Sequence, residues 1–433
     1  MSKSLFKVSS RTRTRYFREH RGEQGIISVP RFRAPMPRFA FAQPGSGSAR
    51  DVLICIFQRG GMDGLGAFIP YGDGANYYDV RPDLAVPAPG SGPTAALDLG
   101  GGFGLHPSLA PFKTLYDAGH LAVVRATGGI DPTRSHFDAM RFMEQGVPGD
   151  KTVPTGWLAR HLQTASSQNT SPLRAVGFGS LVPASLRGST SVPALAMESI
   201  ADFHLQGRSE ELAALRAQIE SLYNVNLDPP SAGLLDKQAQ LVLETIDLLQ
   251  TLDGSGYVPA NGAAYPDDYF GFQLKQAAQL IKADVGLEVA CIDIGGWDTH
   301  ETEGTNDGYF AALLATMASS IGAFYTDLGG LMANVTVITM SEFGRRVEQN
   351  ASKGCDHGHG NVMFVMGGGV NGGQMYGEWP TLDPAALNDG DLDIRTDQRH
   401  VLAELVDKRL VNPSASVFPN FASQPLGIFQ TRT

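Results

Sequence analysis

The chain has 433 residues, 42% of them apolar and 18% charged, with a net charge of −10; this is the composition of a folded globular protein and not of a disordered or fibrous one. The charge divides into +8 over residues 1–42 and −18 over the rest, and an acidic body excludes a duplex nucleic-acid partner, whose binding needs Lys and Arg against phosphate. Three cysteines, Cys55, Cys291 and Cys355, make neither a disulfide framework nor a C-x-x-C site.

Residues 1–42 carry ten Lys and Arg against Glu19 and Glu23. They end in P-R-F-A-F-A-Q, where Ala40 and Ala42 fit an A-x-A cleavage site before Gln43. The apolar run of a signal peptide is missing, and Arg13 and Arg15 are not adjacent as a twin-arginine pair is. The segment therefore reads as a degenerate or scrambled targeting signal, and export to the periplasm is expected. No later segment is expected to span a membrane, which takes about 18 or more consecutive apolar residues.

From residue 43 a single α/β domain is expected. D-V-L-I-C-I-F from Asp51 is apolar without alternation, as a strand covered on both faces must be. It ends at Q-R-G-G-M-D-G, which presents Arg59 and Asp63. A helix is predicted from His106 to Gly119, a second buried strand over 121–128, and then a helix opened by R-S-H-F-D, with Ser135 and Asp138 in an N-cap pattern. Shorter strands are predicted at 173–179 and 192–197. Helical periodicity over 208–285 predicts a helical insertion above the sheet. A strand at 287–296 leads into G-G-W-D-T-H, a helix spans about 308–332, strands lie at 335–340 and 362–366, and a last helix covers 396–410.

Four polar clusters directly follow predicted strands, and in a parallel sheet such ends share one edge, where ligands bind. They hold Arg59 and Asp63; Arg134, Ser135, His136 and Asp138; Asp298 and His300; and Glu342, Arg345, Asp356, His357 and His359. In Asp298/His300 and His357/His359 the partners are two apart, so in extended chain each pair points one way and can grip one ion. A mixture of imidazole and carboxylate suits Zn or Mn better than Ca or Mg. Ser135 at a helix N-terminus can be a cap or a nucleophile beside a bound anion, with Arg134 or Arg59 on the anion's other oxygens and His136 as a possible base. His106, His120, His161, His204 and His400 stand alone and are assigned structural roles.

Five motifs, F-Q-R-G-G-M-D-G, R-S-H-F-D-A, G-G-W-D-T-H, S-E-F-G-R and D-H-G-H-G-N-V-M-F-V-M-G-G-G-V, resemble in this order the bacterial domain-of-unknown-function 1501 family, over about 51–410. That family is grouped with the alkaline phosphatase and sulfatase superfamily. The resemblance implies a three-layer α/β/α fold with a mostly parallel central sheet, a divalent metal and a small anionic ester as substrate. Position by position it implies that Asp63, Asp298, His300, Glu342 and His357 or His359 bind metal, and that Ser135 is the nucleophile. Phe343 stands where the superfamily commonly has a histidine, which favours the competing expectation of a non-catalytic exported binding or assembly protein with a structural metal or none. An oxidoreductase is disfavoured, because no G-x-G-x-x-G follows the first strand.

Overall fold

A computed structural model describes residues 51–432, apart from 168, 190, 206–207, 209, 224–230 and 253–255; the expected targeting segment lies outside the described residues. The strands are β1 (Val52–Arg59), β2 (Phe68–Ile69), β3 (Leu97–Gly100), β4 (Phe103–Leu105), β5 (Leu121–Gly128), β6 (Ala175–Phe178), β7 (Leu195–Met197), β8 (Val289–Gly295), β9 (Val335–Met340), β10 (Asn361–Gly367), β11 (Gln374–Tyr376) and β12 (Thr396–Asp397). The helices are α1 (Gly64–Ala67), α2 (Ala75–Tyr78), α3 (Ala110–Asp117), α4 (His136–Gln145), α5 (Trp157–Thr164), α6 (Leu212–Tyr223), α7 (Ser231–Thr251), α8 (Tyr269–Lys282), α9 (Tyr309–Leu328) and α10 (Gln398–Lys408).

The central sheet has the order β11-β5-β10-β9-β1-β8-β6-β7, with β12 also on β5. Every pairing is parallel except those of β10, which runs against both β5 and β9. Successive residues of β1 enter opposite cores: Ile54 and Ile56 pack with α3, α8 and α9, while Leu53, Cys55 and Phe57 pack with α4, α5 and α10. Three layers, α/β/α, follow from this. It is also why the strand sequences lack polar alternation, since neither face of the sheet meets water.

The expected insertion contains helices of different standing. α8 is part of one covering layer, with Phe270, Leu274, Ala277 and Ala278 buried in the core against α9 and β8, whereas α6 and α7 pack on each other. α9 is long and apolar enough to cross a membrane by length and composition, although Thr316, Ser319 and Ser320 interrupt its apolar run. Its Phe310, Leu314, Met317, Ile321 and Phe324 are buried in the core. A small antiparallel sheet, β2-β4-β3, lies apart from the main one.

His106 has a structural role that fixes its tautomer. Its Nδ1 accepts from the Ser108 N–H at 3.0 Å, so its Nε2 carries the hydrogen donated to the Thr305 carbonyl at 2.9 Å. Burial holds it neutral and pushes its pKa down to about 4. The unfolded chain, with a histidine near 6.5, binds the proton first, so this stability is fully present above about pH 6.5 and is lost as pH falls towards 4. The loss amounts to about 3 kcal/mol. Urea titrations across that window should show a steeper fall for the native protein than for His106→Gln; equal slopes would refute the assignment.

Candidate functional site: a cluster of imidazole and carboxylate at the sheet edge

The parallel strands β1, β5, β8 and β9 all end at one edge, and β10 begins there because it runs the other way. The turn after β1 is held close to the turn after β8: Gly60 has φ +124°, and a Cβ on it would lie 2.6 Å from the Asp298 nitrogen. Glycine is needed on both counts. The Gly60 N–H donates to Glu342 Oε1 at 2.8 Å, which ties the end of β1 to the end of β9.

Three imidazoles converge at this edge, and each donates its Nδ1 hydrogen outward. His136 donates to Glu342 Oε1 at 2.7 Å, His300 to Asp356 Oδ1 at 2.9 Å, and His357 to the Arg134 carbonyl at 2.9 Å. The neutral rings therefore turn Nε2 lone pairs inward. His357 Nε2 lies 3.0 Å from that of His136 and 2.9 Å from that of His300. Asp298 Oδ1 faces all three, at 3.4, 3.1 and 3.2 Å from His136, His300 and His357. The donor atoms of His136, Asp298 and His357 all lie within 4.8 Å of one another, and His300 contacts two of these three.

Arg345 closes the inner side of the cluster. Its buried guanidinium donates to Asp298 Oδ1 at 2.7 Å, to His300 Nε2 at 3.4 Å, to the carbonyls of Gly61 at 2.6 Å, Cys355 at 2.9 Å and Trp297 at 3.0 Å, and to that of Gly60. Burial works against the charge on Asp298, but Arg345, with His357 and His136, holds its carboxyl down to about 2. The hydrogen bond to Glu342 raises the pKa of His136, while burial and the Arg345 charge lower that of His357. The His300 hydrogen bond keeps Asp356 below the usual carboxylate range. Phe343 is the wall, its ring centroid 4.8 Å from both His136 and His357.

A family model described as "Protein of unknown function (DUF1501)" matches residues 126–406. The chain belongs to this DUF1501 family. The match contains every residue of the cluster, whereas β1 and Asp63 lie before it. Among curated proteins none matches. Solved structures similar to this DUF1501 protein include the PsFucS1 sulfatase from Pseudoalteromonas sp., at 10% identity and a TM-score of 0.33, over 75% of this chain and 64% of that one. A putative sulfatase from Bacteroides thetaiotaomicron VPI-5482 is similar at 11% identity and a TM-score of 0.32, over 74% and 65% of the two chains. A mutant TAB5 alkaline phosphatase with Mg bound is similar at 11% identity and a TM-score of 0.30, over 73% and 91%. The chain thus spans just under two thirds of the length of either sulfatase.

Of the residues singled out in the DUF1501 sequence, Asp298, His300 and His357 meet, and His136, expected at most as a base, stands with them. Glu342 is not among the inward donors; it orients His136. His359 turns away, its Nε2 3.0 Å from the Asp131 carbonyl. The argument from two-residue spacing fails there because His357 is bridged to Arg345, and the Gly344 N–H is held by the His359 carbonyl, so that loop follows a turn and not a ligand. Arg59 is taken up by Asp293 at 2.6 Å and Glu144 at 3.3 Å, and the Arg134 side chain by Asp391. Ser135 is exposed at the N-cap of α4, but its side chain makes no capping bond, and Asp138 pairs with Lys151 at 2.7 Å. The expected capping pattern is absent.

Asp63 belongs to a second, fully buried group. Its carboxylate takes both terminal nitrogens of Arg81, at 2.6 and 3.1 Å, and its donor atoms lie within 4.8 Å of those of Glu303 and Cys355. Burial and the Asp63 charge push the Glu303 carboxyl up, and burial does the same to the Cys355 thiol. Arg81 balances the Asp63 charge.

Two outcomes test the geometry. If the cluster holds a metal, Glu342→Gln should weaken Zn²⁺ binding about 10–100-fold in a competition titration, as loss of a carboxylate behind a metal-facing histidine does; unchanged affinity would show that Glu342 does not act through His136. Arg345→Lys cannot reproduce a fork that reaches four carbonyls and a carboxylate, and should lower the unfolding free energy by roughly 3 kcal/mol. A loss below 1 kcal/mol in denaturant melts would refute that role.

Proposed function

We propose that this protein holds one divalent ion, zinc or manganese, among His136, Asp298, His300 and His357, and that it is an exported, periplasmic hydrolase of a small phosphate or sulfate ester. One observation carries the metal reading. Three ring nitrogens and a carboxylate oxygen face one another at 2.9–3.4 Å with their ring hydrogens committed elsewhere; Arg345 donates to Asp298 and His300 from the inner side, and His136 and His357 still turn Nε2 lone pairs on the others, a repulsion that a bound cation relieves. The separations suit the group as well, since ligand bonds of about 2.0–2.1 Å in a tetrahedron place donor atoms roughly 3.3–3.4 Å apart. Imidazole in the donor set favours zinc or manganese over calcium or magnesium. Outside it, Glu342 and Asp356 orient two of the rings, as supporting carboxylates do around metal sites.

When bound, the ion supplies Lewis acidity to an ester oxygen and acidifies a coordinated water. Asp298 stays ionised under the Arg345 charge, and His357 is kept neutral and able to donate its lone pair. The first-turn N–H groups of α4, unpaired by helix geometry, stand beside His136 and favour an anion there. Ser135, exposed at that same helix start, is the proposed nucleophile; Arg59 and Arg134 are engaged by carboxylates and are not proposed as anion ligands. A second reading, an exported binding protein with a structural ion, draws on Phe343: it walls the cluster with an apolar ring and leaves one ion's worth of ligands.

Elemental analysis of the purified protein should find about one equivalent of zinc or manganese, and His357→Ala and Asp298→Ala should lose both the metal and the turnover of aryl phosphate or aryl sulfate. Ser135→Ala should keep the metal and lose turnover. Metal without turnover on either substrate selects the second reading; full metal content in both His357→Ala and Asp298→Ala would sink the first and the second together.

A further inference from the structure

Two of the three free cysteines and a methionine share one core of the sheet. Cys55 of β1 and Cys291 of β8 are direct partners in the parallel register. Both side chains enter the core shared with α4, α5 and α10. The Cys55 thiol donates to Met340 Sδ at 3.7 Å, and Cys291 Sγ is 3.7 Å from Ser185 Oγ. A cavity of about 10 Å³, the size of one small ion or water, is lined by Cys55, Cys291 and Met340. Trp157 lines the same cavity, and its Nε1 donor is buried without a hydrogen-bond partner. Arg59 and Asp293 line it too, and their side chains are partly exposed, which gives the cavity a way to solvent.

We propose that Cys55, Cys291 and Met340 form a binding site for a single monovalent soft-metal ion, Cu(I), distinct from the imidazole cluster. Two thiols and a thioether are the donors that select Cu(I). With metal–sulfur bonds of about 2.3 Å, a trigonal set puts the sulfurs roughly 4 Å apart, close to the separation of Cys55 and Met340. The exchange is balanced: the Cys55 and Cys291 S–H bonds break, two S–Cu bonds form, and both protons leave to solvent, so the site becomes more negative by one charge and copper keeps its oxidation state. Glu144 and Asp293, whose charges outnumber that of Arg59, favour a cation in the cavity. The buried Trp157 N–H and the Ser185 hydroxyl are donors available to thiolate sulfur.

Full-length, metal-free protein titrated anaerobically with Cu(I) against a chromophoric Cu(I) chelator should take up one tight equivalent. His357→Ala should leave that equivalent in place, which separates this site from the imidazole cluster, and Cys355→Ser should leave it in place too. Cys291→Ser should abolish it, and Met340→Leu, which conserves volume, should weaken it at least 10-fold with an unchanged thermal melt. If Cys291→Ser fails to fold, the native protein still decides: bound Cu(I) should shield Cys55 and Cys291, and not Cys355, from alkylation on rapid unfolding. No uptake, uptake lost in His357→Ala, or shielding of Cys355 alone would overturn the proposal.

Discussion

The edge of this protein depends on one guanidinium. Arg345 is buried, and its five nitrogen-bound hydrogens are spent on the turn after β1, the turn after β8, the loop before β10, the Asp298 carboxylate and the His300 ring. A charge so far from water is tolerated only when every donor is satisfied. The geometry is therefore exacting in both directions: the loops hold the arginine, and the arginine fixes where the loops bring Asp298, His300 and His357. The same charge keeps Asp298 ionised and draws the neighbouring imidazole towards its neutral form.

Around that fixed point the histidines are set by what lies behind them. Two carboxylates and one backbone carbonyl take the outward hydrogens, and the inward lone pairs are a consequence. This is why Glu342, which the spacing of motifs places among the ligands, sits one step back. The acidic side chain is as necessary to the arrangement as the rings are, but it acts by turning His136. Phe343 completes the arrangement by its bulk, packing on two of the rings, and a Cβ on Gly61 would lie 2.5 Å from it.

Much of the fold could be read from the sequence because sheet strands covered on both faces are unbroken apolar runs: β1, β5, β8, β9 and β10 all stand where such runs are, to within a few residues. The two- and three-residue strands β2, β4, β11 and β12 have no such signal, since their pairing is decided by partners far away in the chain. The direction of β10 was equally hidden, because an apolar run reads the same both ways. At the site, strand-end position was enough to find Asp298, His300 and His357. It could not separate His357 from His359, which differ by a turn pinned to Arg345, nor show that Asp63 is claimed by Arg81, eighteen positions on. His136 was visible in R-S-H-F-D, but its proximity to Ser135 suggested a partner for the serine and not for distant rings.

The reversal of β10 has an evolutionary consequence. Residues 341–360 leave one strand and enter its antiparallel neighbour without crossing the sheet, so one connection supplies Glu342, Phe343, Arg345, Asp356 and His357 as a cassette. A protein built this way can recast its chemistry by recombination or drift within some twenty consecutive positions while both covering layers of helices stay as they are. Divergence between relatives should accordingly concentrate in that cassette around a retained Arg345, and spare the strands that carry it.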